Sequence, residues 1–199
     1  MSFSRAAVLL AAASAWLAAT ASATLAHTEG GLTGGLASGF THPLFGLDHV
    51  VAMVAVGLWG AFLGRPAIWL LPVVFPAVMA LGGALGVLGA PLPFVEVGIA
   101  LSGIILGLAV AFAVRAPMAV AAALTGLFAI FHGHAHGAEL PESANAFAYA
   151  AGFVVATGLL HLVGVLFGFL IQWPTGRIAV RAIGAAIAAA GFAFLTGFA

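Results

Sequence analysis

The chain has 199 residues, of which 64% are hydrophobic and 5% are charged, and its formal net charge is zero with histidine neutral. A soluble domain carries about a quarter charged residues, so this composition excludes a water-soluble globule and predicts that lipid surrounds most of the surface. The absence of cysteine and lysine excludes disulfides, thiolate metal sites, Schiff bases and Walker phosphate loops, and zero net charge argues against a nucleic-acid partner.

The N-terminal region is typical of a secretory signal peptide. Arg5 precedes a short apolar run, and small residues follow that run as far as Ala26. A positive start, a short apolar segment and a small-residue zone are the three parts of such a signal. We therefore predict a signal peptide over residues 1–26 and a single mature domain over residues 27–199, the alternative being an uncleaved seventh helix.

The cleavage position decides whether the mature N-terminus can bind a metal ion. Cleavage after Ala23 fits the small-x-small rule best and leaves His27 inside the mature chain. Cleavage after Ala26 fits less well, but it makes His27 the first residue, with a free amine beside its imidazole. An amine and an imidazole together can chelate one ion, so His27 is a candidate metal ligand.

Beyond residue 40, six apolar stretches alternate with short breaks that contain proline, glycine or charged residues. Each stretch is close to the ~20 residues that cross ~30 Å of hydrocarbon. No linker is long enough to separate domains. The predicted fold is all-α, a polytopic membrane helix bundle with six transmembrane helices after a cleaved signal peptide. The predicted spans are residues 42–63, 67–89, 93–114, 117–138, 144–171 and 176–197.

The arginines predict the orientation of these spans. Secretion of the N-terminus places the first, third and fifth loops in the cytoplasm, and every arginine of the mature chain falls in or beside those loops, as the positive-inside rule expects. The fourth loop, predicted to lie outside, carries Glu139 and Glu142. We expect a multi-pass protein of the bacterial inner membrane with both termini in the periplasm. The arginines are Arg65, Arg115, Arg177 and Arg181.

Ionisable side chains within spans are costly and therefore indicate function. In the predicted topology, three spans bring such groups to one level near the external face, and His161 alone lies deeper. For His161, a purely structural role, in which it forms hydrogen bonds to neighbouring helices, is an equally open alternative. The candidate metal ligands in the spans are His42, Asp48 and His49 in the first, Glu96 in the third, and His132, His134 and His136 in the fourth.

The spacing of these histidines is compatible with metal binding. His132 and His136 are one turn apart on one helix face, whereas His134 points away on an ideal helix. His42 and His49 are two turns apart, about 10 Å along the axis. They are too far apart for one ion unless Pro43 and Gly46 interrupt the helix, and they otherwise form successive sites.

Residues 42–57 carry the pattern H-P-x-x-G-x-D-H-x-x-x-M-x-x-V-G, which resembles the signature of the HupE/UreJ family. These are membrane proteins associated with hydrogenase and urease accessory functions and regarded as nickel permeases. The resemblance extends over the whole chain and includes a second histidine-rich motif. It implies secondary nickel uptake, with His42, Asp48 and His49 at the family's essential motif positions, and His132 and His136 in the second motif.

The expected function is uptake of a divalent transition-metal cation, with Ni²⁺ first and Co²⁺ or Zn²⁺ as alternatives, since imidazole and carboxylate without thiolate suit such ions. We expect no enzyme activity and no permanently bound cofactor. The expected partners are the cation, the bilayer, nickel-enzyme maturation proteins and, as an option, further copies of the chain. Two other hypotheses are an intramembrane zinc hydrolase and a metal sensor or accessory subunit without transport.

Overall fold

The computed structural model describes residues 32–140 and 145–198, and all regular structure in these ranges is helical. A 3-10 helix, Phe169–Gln172, links the last two α-helices. The all-α prediction is therefore confirmed, whereas the predicted signal peptide lies outside the described residues. The α-helices are α1 (Leu32–Phe45), α2 (Leu47–Leu63), α3 (Ala67–Val87), α4 (Val95–Ala111), α5 (Met118–Ala138), α6 (Ala146–Gly168) and α7 (Pro174–Thr196).

Four of these helices are long and apolar enough to cross a membrane: α3, α5, α7, and α6 with its 3-10 extension. The pair α1 and α2 qualifies as a fifth candidate if it is one bent span. Helix α4 is apolar but shorter, with 17 residues. The structure thus gives four or five candidate spans among the described residues, and the count of six stays a prediction.

The first predicted span is not one continuous helix, and the structure has the interrupted alternative. Helical structure starts at Leu32 and is interrupted at Gly46, where α1 and α2 meet at 81°. Gly46 has an extended backbone, with φ −79° and ψ 101°, so the helical hydrogen-bond pattern of α1 does not continue into α2. The interruption places His42 and His49 on two different helices that converge at one point.

Four close helix pairings build the bundle: α1 and α2 each lie along α6, α3 lies against α5, and α4 lies against α7. The α3–α5 contact is close because glycine faces backbone. A Cβ atom at Gly133 would collide with the carbonyl oxygen of Met79, and one at Gly137 would collide with that of Gly83. Without a hydrophobic drive between helices in lipid, such small-residue contacts hold helices together. They fix the histidine-bearing end of α5 against α3.

Candidate metal site

Four of the predicted histidines meet where α1, α2 and α5 converge, and their imidazoles form a continuous row. Nε2 of His42 lies 3.1 Å from Nδ1 of His136, and Nε2 of His136 lies 3.2 Å from Nδ1 of His49. The ring of His132 lies beside that of His49, with 5.4 Å between centroids. The two motifs, far apart in sequence, therefore build one site.

This row contains two overlapping groups of potential metal ligands. The outer group is His42, His136 and Glu139, and the deep group is His49, His132 and His136. Within each group the ligand atoms all lie within 4.8 Å of one another. Ligands about 2.1 Å from a shared ion are separated by about 3–4 Å, so small side-chain rotations would close either group. His136 belongs to both.

Burial increases along the row. The side chains of Glu139 and His42 are 58% and 36% exposed, whereas His49 and His132 are fully buried. The carboxylate of Glu139 lies 3.3 Å from Nε2 of His42 and 3.5 Å from Nδ1 of His136. The outer group is thus open and carries a negative charge, and the deep group is closed and consists of imidazoles alone.

Ser102 of α4 determines which nitrogen of His132 is free to bind a metal. Its hydroxyl donates to the carbonyl oxygen of Ile99 at 2.6 Å. Its contact of 2.9 Å with Nε2 of His132 must therefore be accepted by Ser102 from an Nε2–H group. Nδ1 of His132 is then the unprotonated nitrogen, and it has no hydrogen-bond partner in the described part of the chain. A buried, unpaired imidazole lone pair is a ready metal ligand.

The deep group lies beside the middle of α6. Nε2 of His49 is 3.2 Å from the hydroxyl of Thr157, which is halfway along α6 and about 16 Å from its start at Ala146. Because α1 accompanies the first turns of α6, the start of α2 lies at its middle. Interrupted helices with binding groups at the interruption are typical of transporters.

Aromatic rings cover the row on its apolar sides. Phe153 of α6 lies beside both His136 and His49, with ring centroids 4.6 Å and 5.2 Å away. Phe75 of α3 contacts His132, with centroids 5.7 Å apart. These rings exclude water from the deep group, and electrostatic interactions are stronger in such a dry environment.

Three residues predicted as ligands belong to neither group, and a fourth lies outside the described residues. Asp48 accepts a hydrogen bond from the backbone N–H of His49 at 2.8 Å, in the first turn of α2. Nε2 of His134 contacts the carbonyl oxygen of Ala90 at 2.7 Å, and Glu96 is exposed in the first turn of α4. His27 lies outside the described residues.

Sequence reasoning missed Glu139, Ser102 and Thr157 as parts of the site. Glu139 could have been found, because it follows His136 by three residues and such pairs share a helix face. Ser102 and Thr157 could not, since one hydroxyl in an apolar helix gives no signal of what it faces. Their partners are set by the packing of α4 and α6 against the histidine helices.

A helical chain with several membrane-length segments and a buried row of imidazoles at an interrupted helix has the architecture of a membrane metal-handling protein. The family model of the HupE / UreJ protein matches residues 15–194. The chain is also 48% identical, over 182 residues, to Protein HupE of Rhizobium leguminosarum bv. viciae, covering 91% of this chain and 95% of that protein. The chain belongs to the HupE/UreJ family. No solved structure matches it.

Proposed function

We propose that this protein is a secondary permease that carries Ni²⁺ inward across the bacterial inner membrane and supplies the maturation of a hydrogenase or urease. The observation that supports this most directly is the imidazole row, which runs from the exposed Glu139 to the fully buried His49 and His132. Polar groups at such depth are costly without a ligand. Family membership supports the same proposal.

The ligand chemistry favours a borderline cation. The chain has no thiol, and the deep group offers three imidazole nitrogens and no carboxylate. Imidazole suits Ni²⁺, Co²⁺ and Zn²⁺ better than it suits Mg²⁺ or Ca²⁺, which prefer oxygen ligands. These three transition-metal ions are therefore the substrates to compare, with Ni²⁺ first.

His136 can take part both in capture of the ion and in its transfer, because one ring nitrogen faces the outer group and the other faces the deep group. Nδ1 is close to His42 and Glu139, and Nε2 is close to His49. In the proposed path the hydrated ion meets the charged outer group first. As the ion enters the deep group, imidazole nitrogens replace water and the carboxylate of Glu139 as its ligands. The ring of His136 remains beside the ion throughout this transfer.

The proposed role is transport and not catalysis. A zinc hydrolase needs an open coordination position with a carboxylate base beside it. In the outer group the carboxylate of Glu139 is itself one of the three potential ligands and not a separate base, and the deep group is closed by Phe153 and Thr157. No cofactor is required, and the transported ion is the substrate.

Uptake of ⁶³Ni²⁺ into proteoliposomes containing the purified protein tests the proposal, with empty liposomes as the control. Accumulation that unlabelled Ni²⁺ abolishes, that Co²⁺ or Zn²⁺ reduces, and that Mg²⁺ leaves unchanged is the expected result. Liposomes with protein that accumulate no more nickel than empty ones would contradict it. Metal-dependent hydrolysis of a lipid or amide by the same preparation would favour the hydrolase instead.

A further inference from the structure

His161 of α6 is a buried histidine that the imidazole row does not use. Its side chain is 1% exposed, and neither Nδ1 nor Nε2 has a hydrogen-bond partner among the described residues. Burying an imidazole removes its hydrogen bonds to water, so leaving both nitrogens unpaired is costly. A histidine that only joined helices would bond a polar group of its neighbour. His161 does not, so its nitrogens are available to a ligand.

The position of His161 continues the row. It follows Thr157, which contacts His49, by one helical turn, about 6 Å further along α6. Phe75 contacts both His132 and His161, with ring centroids 5.7 Å and 5.5 Å away. His161 therefore lies next to the deep group, separated from His132 by one aromatic ring.

The direction of this continuation leads away from the outer group. The start of α6 and Leu140, next to Glu139, line the same cavity, so moving along α6 from Thr157 to His161 increases the distance from that end. Thr125 on α5 is a second buried polar group on this side. Its hydroxyl has no partner in the described ranges, and it precedes His132 by two turns on the same helix face. Unpaired polar atoms thus continue beyond the deep group on two helices.

We infer that His161 is an inner ligand site, where a divalent cation leaving the deep group binds one imidazole nitrogen. The inference rests on the proposed transport function and adds a second binding step to it. One imidazole holds a dication less tightly than three do. A pathway must bind its ion weakly enough at the exit for release, and His161 meets that requirement.

Two substitutions separate this role from a structural one. His161→Leu keeps most of the volume and removes both nitrogens. Because those nitrogens are unpaired, their loss should leave membrane accumulation and thermal stability in detergent unchanged or higher. His161→Gln keeps an oxygen ligand and provides a second test if the leucine variant fails to fold. Leu162→Ala, at the adjacent half-exposed position, is the matched control.

The measurements are ⁶³Ni²⁺ uptake in proteoliposomes and equilibrium ⁶³Ni²⁺ binding to purified protein. We expect His161→Leu to lower the saturating uptake rate about tenfold or more with nearly unchanged binding, His161→Gln to fall between, and Leu162→Ala to match wild type. Wild-type uptake by His161→Leu would overturn the inference, as would loss of nickel binding in that variant. If His161→Leu does not fold, wild-type uptake by His161→Gln would overturn it. A wild-type protein that transports no nickel would instead refute the proposed function.

Discussion

The hydroxyl of Ser102 accepts a hydrogen bond from Nε2 of His132 at 2.9 Å while it donates to the carbonyl oxygen of Ile99. This relationship holds the imidazole in the tautomer whose Nδ1 is free. Partners of this kind orient metal-binding histidines and raise their basicity. Ser102 belongs to neither ligand group, but it holds His132 in the tautomer that can bind an ion in the deep group.

The first prediction follows from that bond. Ser102→Ala leaves the ring of His132 free to rotate and to change tautomer, so nickel affinity should fall by about tenfold or more. Equilibrium ⁶³Ni²⁺ binding to the purified variant measures this. Thr196→Ala is the control, because its hydroxyl bonds only carbonyls of its own helix, α7. Unchanged affinity in Ser102→Ala would show that the tautomer does not matter.

The second prediction concerns the contact between α3 and α5. Gly133→Ala places a methyl group on the carbonyl oxygen of Met79, which forces the helices apart and should cost roughly 1–3 kcal/mol of stability. Lower accumulation in membranes and a lower melting temperature in detergent are the expected results. Gly158→Ala is the matched control, because nothing lies within 4 Å of its Cβ position. Equal loss in both variants would point to glycine flexibility and not to packing.

The third prediction is the orientation in the membrane. With a cleaved signal peptide and six spans, the C-terminus lies in the periplasm and the arginine-bearing turns lie in the cytoplasm. An alkaline phosphatase fused after residue 198 should be active, and a fluorescent protein at the same position should be dark. A fluorescent fusion would instead require an odd number of spans after a secreted N-terminus.

The sequence predicted most of the fold because apolar length and proline–glycine breaks act locally. Helices α3, α5 and α7 begin and end within two residues of the predicted spans. The interruption at Gly46 was only one of two alternatives, since the residues around it are apolar enough to continue a helix. The backbone is extended at Gly46, and α1 and α2 both pack on α6, a tertiary arrangement that periodicity cannot reveal.

The residues of the site were also predictable in part. His49, His132 and His136 lie together as ligand chemistry predicts. Imidazoles in apolar helices are costly, so they face the interior of the bundle and one another. His134 lies outside both groups because α5 stays helical there and directs it toward Ala90. The level of the site near the external face stays a prediction.

The fourth prediction tests the outer group. Glu139→Gln removes the negative charge at the exposed end of the row, so capture of a dication from water should weaken. We expect the half-saturation concentration for ⁶³Ni²⁺ uptake to rise about tenfold, with the saturating rate nearly kept, because the deep group is intact. Arg65→Gln, between α2 and α3, should behave as wild type. A lower saturating rate at unchanged half-saturation would mean that Glu139 acts after capture.

The fifth prediction separates two roles of Asp48. Its carboxylate accepts from the N–H of His49 at 2.8 Å, which satisfies a free amide in the first turn of α2, and its charge lies next to the imidazoles of the deep group. Asp48→Asn keeps an acceptor oxygen and removes the charge, whereas Asp48→Ala removes both. If the charge offsets a dication in this low-dielectric environment, uptake should fall about tenfold or more in both variants.

The two variants should differ in stability. Only Asp48→Ala leaves the amide of His49 unpaired, and loss of such a hydrogen bond at a helix start costs about 1 kcal/mol. Its melting temperature in detergent should therefore be lower, while that of Asp48→Asn stays near wild type. Uptake and protein amount are compared in the same membranes. Normal uptake in Asp48→Asn would reduce Asp48 to a capping residue, and equal melting temperatures would remove the capping role instead.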